Sequence, residues 1–252
     1  ISVDLIYGLP FQTVDSFRQT LDTIIELSPD RLSIFNYAHL PHLFKPQRRI
    51  KDADLPSADT KLQIVQLAVE HLTSAGYEYI GMDHFATPDD ELAIAQRQGT
   101  LHRNFQGYTT HADCDLIGLG VSSISSVAEC YSQNVKTLDA YYAALDAGQF
   151  PVVRGIALTD DDVLRREVIQ QLTCHFQLDF GQIERDFNLA FTDYFAQELD
   201  SLQPMAIDGL LQFTSQGLSV TPRGRFLIRN ICMVFDVYLR KQSGQQRFSK
   251  VI

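Results

Sequence analysis

Residues 3–40 read VDLIYGLPFQTVDSFRQTLDTIIELSPDRLSIFNYAHL, and the alternation within this stretch decides the fold class. Val3-Asp4-Leu5-Ile6-Tyr7 reads as a buried strand closed by Gly8-Leu9-Pro10, since glycine permits the turn and proline has no N–H to donate. From Thr13 the pattern becomes helical, with apolar positions at Phe17, Leu21, Ile24 and Ile25, and it stops before Ser28-Pro29. Residues 31–40 read as a second strand that runs into a loop marked by Pro41, Pro46 and Pro56. Working outward, residues 57–75 set Leu62, Val65, Val69 and Leu72 on one helical stripe, with Gly76 as its cap. Residues 77–82 predict a third strand, 90–97 a short helix, 115–123 a fourth strand and 137–148 another helix. Strands alternating with helices of this length mean βαβ units and a parallel sheet. Four strands cannot close an eight-stranded barrel, and half a barrel leaves an unpaired edge. The chain starts at Ile1 and enters a strand at once, so further strands are expected before residue 1.

From about residue 155 the texture changes. Thr159 is an N-cap followed by three aspartates, opening a helix to about residue 176. Asp179 caps a short helix through residue 187, and residues 192–203 supply a third. Residues 210–214 and 218–221 form a hairpin around Gln216-Gly217, and Pro222 opens a helix running to about residue 240. The expected division is residues 1–150 as the later strands and helices of a TIM-like (β/α) barrel, and 151–252 as a mostly helical, winged-helix-like domain.

The 252 residues are 45% hydrophobic and 21% charged, which describes a globular protein rather than a disordered one. No run of about 20 apolar residues is present to span a membrane. A net charge of −10 argues against a non-specific polyanion binder. Cys114, Cys130, Cys174 and Cys232 are too widely spaced for a zinc ribbon, a CxxC pair or a ferredoxin-type cluster. They read as reduced, mostly buried thiols of a cytoplasmic protein.

Asp4 is the most informative single residue, a charge in a strand expected to be covered on both faces. It is either an ion-paired structural carboxylate or a ligand contact in a barrel mouth. Asn36-Tyr37-Ala38-His39 and Asp83-His84 end the second and third strands, where parallel barrels carry their sites. His39, Asp83 and His84 therefore admit a metal-dependent hydrolase, although His39-Leu40-Pro41-His42 lacks helical ligand geometry. Gly118-Leu119-Gly120 serves either close approach of a flat ligand or tight packing. The loop Leu101–Tyr108 combines basic, amide and aromatic groups, and Arg48, Arg49 and Lys51 form a basic cluster suited to carboxylates. Arg223, Arg225, Arg229 and Arg240 admit a nucleic-acid-binding module, but their mixed angles read better as ordinary helix-surface charges.

Five segments together carry a resemblance: VDLIYGLPFQT (3–13), RLSIFNYAHLP (31–41), GYEYIGMDHFA (76–86), LHRNFQGYTTHADCDLIGLGVSSIS (101–125) and RGRFLIRNICMVFDVYL (223–239). In order and spacing they resemble the oxygen-independent coproporphyrinogen III oxidases (coproporphyrinogen dehydrogenases) of the radical S-adenosylmethionine superfamily. The resemblance implies oxidative decarboxylation of two propionates of coproporphyrinogen III to vinyl groups by a 5′-deoxyadenosyl radical, giving protoporphyrinogen IX. It implies S-adenosyl-L-methionine and a [4Fe-4S] cluster as cofactors. Nothing here matches the family's CxxxCxxC motif, so the cluster is expected on a preceding N-terminal part, and this segment alone is expected to be inactive. Asp4 matches an S-adenosylmethionine-binding aspartate, and Ala38 and Ile124 match backbone or apolar cofactor contacts. Phe105 and Gln106 match a loop pair beside the same cavity. Arg103, two residues away, is the expected contact for substrate propionates. No residue matches a metal ligand or a catalytic acid or base. The implied partners are coproporphyrinogen III and an electron donor, with no nucleic acid or membrane, for a monomer in the cytoplasm.

Overall fold

The computed structural model describes residues 1–112 and 114–241. In chain order the elements are β1 (Ser2–Tyr7), α1 (Val14–Leu27), β2 (Arg31–Asn36), α2 (Ala58–Ser74), β3 (Glu78–Gly81), β4 (His84–Ala86), α3 (Glu91–Gln98), β5 (His102–Asn104), β6 (Gly107–Thr109), β7 (Ile124–Val127), β8 (Cys130–Asn134), α4 (Leu138–Asp146) and β9 (Val152–Ala157). There follow α5 (Asp160–His175), β10 (Gln177–Asp179), α6 (Phe180–Phe187), α7 (Phe191–Tyr194), α8 (Ala196–Ile207), β11 (Leu211–Phe213), β12 (Gly217–Val220), α9 (Pro222–Arg225), α10 (Ile228–Met233) and α11 (Val237–Lys241). The result is a mixed α/β fold whose sheets do not close into a barrel, followed by a helical region with a small antiparallel sheet.

β1 and β2 pair in parallel, as the βαβ pattern requires, and α1 begins where Thr13 and Ser16 close a capping box. Beyond β2 the expected parallel order breaks down. The segment 77–86 turns at Gly81-Met82-Asp83 and folds back, so the sheet order is β1-β2-β4-β3 with β4 antiparallel to both neighbours. A connection this short permits only antiparallel pairing, because a parallel crossover needs a dozen residues or more. Met82 takes a left-handed φ of 51° to make that turn. Residues 115–123 form no extended strand either. Leu116 makes one isolated bridge to Ser126, and the neighbouring order is an antiparallel sheet β7-β8-β9. β9 lies at 152–157, so this sheet reaches past residue 150 before Thr159 caps α5.

One face of the four-stranded sheet is covered by α1 and α2, where Phe17, Leu21, Ile64, Leu72, Leu32 and Ile34 are buried together. A second core fills the helical region around Val168, Leu172, Ile183, Phe191, Phe195 and Phe235. A third, smaller cluster joins them: Ile80 and Ala86 of the sheet pack with Leu92 and Ala95 of α3 and with Cys174 of α5. Gln96 clamps this junction, donating to the Ile80 carbonyl at 2.6 Å and the Cys174 carbonyl at 2.8 Å.

The single helix expected from Pro222 to about residue 240 is instead three short ones, α9 to α11. Asp236 breaks it, because its side chain accepts from the Tyr238 and Leu239 N–H groups at 2.9 and 3.1 Å and so caps a new turn. Arg223 is an exposed surface charge as expected, but the other three C-terminal arginines are not. Arg225 stacks on Phe176 at 4.4 Å, Arg229 pairs with Asp83 at 3.1 Å, and Arg240 bonds to the buried Glu198. Nor are the thiols mostly buried, since Cys114 and Cys130 are exposed while Cys174 and Cys232 are enclosed.

Candidate functional site

Strand alternation sends Val3, Leu5 and Tyr7 toward the helices and Ser2, Asp4 and Ile6 to the other face. Asp4 is therefore exposed, not covered on both sides: α1 and α2 pack on the opposite face, and α3 and α5 cover Asp4's face only at its far end, over Ile80 and Ala86 of β3 and β4. Pairing sets Asp4 opposite Ser33, and Ser33 opposite His84, so the three form one row across β1, β2 and β4. The next row holds Ile6 and Phe35, both exposed. A carboxylate, an imidazole and two large apolar side chains thus share one open face.

His84 is wedged between two rings, edge-on to Phe35 at 6.1 Å and to Tyr108 at 5.2 Å. Its Nδ1 is buried without a hydrogen-bond partner among the described residues. Burial pushes its pKa down to about 4, the Arg103 charge pushes the same way, and Asp4 partly offsets both. His84 is therefore a neutral imidazole at physiological pH. Asp83 behaves oppositely: burial raises its pKa, while Arg229 and Arg103 pull it back.

Arg103 comes from the β5–β6 hairpin, in which Phe105 and Gln106 form the two-residue tip between Asn104 and Gly107. The Asn104 side chain accepts from the Gln106 N–H at 2.8 Å, an Asx-type turn. α5 holds the hairpin in place. Gln170 donates to the Arg103 carbonyl, and the Tyr108 hydroxyl donates to the Thr173 carbonyl at 3.2 Å. The Arg103 guanidinium lies over the Tyr108 ring at 5.7 Å, with its Nε buried and without a hydrogen-bond partner among the described residues. Phe105 is half exposed and meets Tyr131 of β8 edge-on at 5.0 Å. A cleft of about 750 Å³ opens beside the hairpin, lined by Arg103, Phe105, Tyr131, Arg166 and Gln170 among others.

The other expected site residues are more dispersed. Ala38 is exposed just past β2, in a loop pinned by Gln47, which binds the Ala38 carbonyl at 3.0 Å and the Leu40 N–H at 2.6 Å. Ile124 opens β7, beside the glycine turn. Close packing accounts for Gly118, since a Cβ there would come within 2.8 Å of the Ile124 carbonyl oxygen. Asn134 fixes the turn by donating to the Gly118 and Gly120 carbonyls at 3.1 and 2.9 Å. Asp4, Ala38, Gln106 and Ile124 do not line the cleft, and what links the expected residues electrostatically is His84, which feels both Asp4 and Arg103, together with Asp83, which feels Arg103. Tyr108 belongs to the loop whose aromatic groups the sequence marks, whereas Ile6 and Phe35 carry no such mark. The two-residue period from Asp4 to Ile6 was the available signal.

The groups that admitted a metal hydrolase are engaged differently. His39 Nε2 faces Asp52 at 3.1 Å, and Asp83 pairs with Arg229. Among the described residues no three His, Cys, Asp or Glu side chains gather to hold a metal ion.

Residues 158–227 match the family model described as the HemN C-terminal domain. The whole chain aligns at 58% identity with 55% of the oxygen-independent coproporphyrinogen III oxidase of Escherichia coli K12, and at 53% identity with 78% of the one from Thermostichus vulcanus. The chain belongs to the oxygen-independent coproporphyrinogen III oxidase family. A solved structure, described as coproporphyrinogen III oxidase (HemN) from Escherichia coli and a radical SAM enzyme, superposes with a TM-score of 0.91 over 94% of this chain and 55% of that one, at 58% identity. The chain thus spans about half the length of that oxidase and of the enterobacterial relatives. In family terms, the matched C-terminal domain begins at the turn into α5, the helix that anchors the Arg103 hairpin.

Proposed function

We propose that this chain supplies the S-adenosylmethionine- and substrate-facing part of an enzyme that oxidatively decarboxylates two propionates of coproporphyrinogen III to vinyl groups. The observation that carries the reading is the open face itself: an exposed Asp4, with no ion-pair partner among the described residues, beside Ile6 and Phe35, in a chain of this family. A free carboxylate can accept hydrogen bonds from the ammonium or hydroxyl groups of S-adenosylmethionine, and the apolar pair can take its flat base, so these residues fit the cofactor. Bound S-adenosylmethionine supplies the hydrogen-abstracting radical.

The chain's own residues bind and orient. Asp4 accepts from the cofactor, Ala38 and Ile124 offer backbone and apolar contact, and Phe105 and Gln106 bound the cavity. Arg103 takes a substrate propionate, and the apolar walls exclude water from the reacting carbon. The described residues include no set that fits a [4Fe-4S] cluster, so no ligand is assigned to it here. We assign the enzyme to the cytoplasm, as a monomer served by an electron donor. No described helix is long and apolar enough to cross a membrane.

Asp4→Asn in the full-length protein tests the cofactor role. It removes the charge and half the acceptor capacity at constant shape, so S-adenosylmethionine affinity should fall roughly ten- to hundredfold. Equilibrium dialysis measures it directly, and an Asn variant with unchanged affinity would make Asp4 structural.

A further inference from the structure

His84 has no role in the reading above, yet it occupies the centre of the open face, between the cofactor-facing Asp4 and the substrate-facing Arg103. Its ring nitrogens form no hydrogen bond among the described residues, and Nδ1 is sealed. An orphaned buried N–H is costlier than an orphaned buried lone pair, which has weaker demands. The tautomer that leaves Nδ1 bare therefore carries its proton on Nε2. That atom has no partner among the described residues either, and it lies beside Gly107, whose missing side chain would come within 3.7 Å of it. Both His84 and Arg103 rest against the ring of Tyr108, at 5.2 and 5.7 Å. Tyr108 in turn is tied to the Thr173 carbonyl, so the two donors are held on one rigid platform.

We propose that His84 donates a hydrogen bond from Nε2 to the same substrate carboxylate that Arg103 binds, forming the second arm of a carboxylate cradle. The proposal rests on the reading that Arg103 meets a propionate. Arginine presents a charged fork, and a neutral imidazole beside it adds direction without a second full cation. Two cations would hold the carboxylate chiefly in the ground state, and stabilisation confined to the ground state does not speed its loss. The aromatic wedge of Phe35 and Tyr108 orients the ring by packing alone, leaving its hydrogen-bonding capacity for the substrate.

The test uses the full-length enzyme and coproporphyrin III, the fluorescent oxidised form of the substrate with the same four propionates, titrated separately from S-adenosylmethionine. His84→Leu should weaken porphyrin binding about tenfold or more while S-adenosylmethionine affinity stays unchanged. His84→Gln, which restores a neutral donor, should stay within about threefold of the parent. The tetra-amide of the porphyrin should not discriminate between the parent and the Leu variant. Unchanged porphyrin affinity in His84→Leu alongside a loss in Arg103→Lys would overturn the role of His84 and leave that of Arg103 standing. Unchanged affinity in both would overturn the underlying reading as well. An equal loss of both ligands in His84→Leu would assign the residue to structure and overturn the cradle.

Discussion

Glu198→Gln in the full-length protein probes the one carboxylate buried in the helical core among the described residues. Glu198 is 3% exposed and accepts from Arg165 of α5 at 2.8 Å and from Arg240 of α11, so it ties three helices together. Arg165 also binds Asp161 at 2.9 Å and the Phe235 carbonyl at 3.0 Å, and it lies over the Phe195 ring at 5.2 Å. Burial alone would raise the pKa of Glu198, but the hydrogen bonds from Arg165 and Arg240 hold it below the ordinary carboxylate value. Removing one partner of a buried ion pair costs about 3–5 kcal/mol. The low end applies here, about 3 kcal/mol, because Arg165 keeps Asp161 and a carbonyl while Arg240 keeps Gln197. A unit of about 150–250 residues shifts Tm by about 2–4 °C per kcal/mol and the longer full-length protein by about half that, so the Gln variant should melt roughly 3–6 °C lower at neutral pH. A carboxylate with a lowered folded pKa stabilises above its unfolded value and loses that contribution as pH falls through the folded one. The difference between parent and variant should therefore shrink below about pH 4. Scanning calorimetry at the two pH values provides both readouts. A variant melting within about 2 °C of the parent at neutral pH would refute the claim that this network contributes net stability.

Two other outcomes follow from the open face. Gly81→Ala should destabilise by about 2–4 kcal/mol, because φ there is 143° and a Cβ would sit 2.5 Å from the Tyr108 hydroxyl oxygen and 3.0 Å from Phe176. Denaturant unfolding measures the loss, and an unchanged midpoint would show that Tyr108 is not a rigid platform. The depressed pKa of His84 makes the unfolded chain bind more protons between about pH 4 and 6.5, so stability rises with pH across that window. Relative to His84→Gln, the parent should lose about 3 kcal/mol as pH falls from about 6.5 to 4, while the raised pKa of Asp83 contributes in the opposite sense to both proteins. Parallel stability curves for the two would show that His84 is not held neutral by the fold.

Helices announced themselves through caps that act locally. Thr13, Ser57, Asp90, Thr137, Thr159 and Asp179 each accept from an N–H two or three residues on, so the signal and the structure share one short stretch. The strand pairing beyond β2 was harder to read. Tyr77–Met82 has the composition of a strand in either direction, and only the Gly81-Met82-Asp83 turn makes its continuation antiparallel. At the site, Asp4 stood out as a charge in an apolar run. His84 looked like a loop anchor, because the rings that isolate it come from residues 35 and 108.

By itself the sequence determined the α/β start, the helical second half, the N-caps at Thr159 and Asp179 and the family, since each rests on local pattern or on contiguous motifs. Tertiary structure alone decided what Asp4, His84 and Arg103 are to one another. Their separation along the chain runs to about a hundred residues, and their charges interact only because β2 lies between β1 and β4 while α5 holds the hairpin that carries Arg103. The same holds for the C-terminal arginines. Helical spacing can say which way a guanidinium points from its own helix, but whether it meets water, Phe176, Asp83 or Glu198 depends on elements far away in the chain. Coulomb and packing energies depend on distance in space, and sequence pattern reports that distance only within a turn or two.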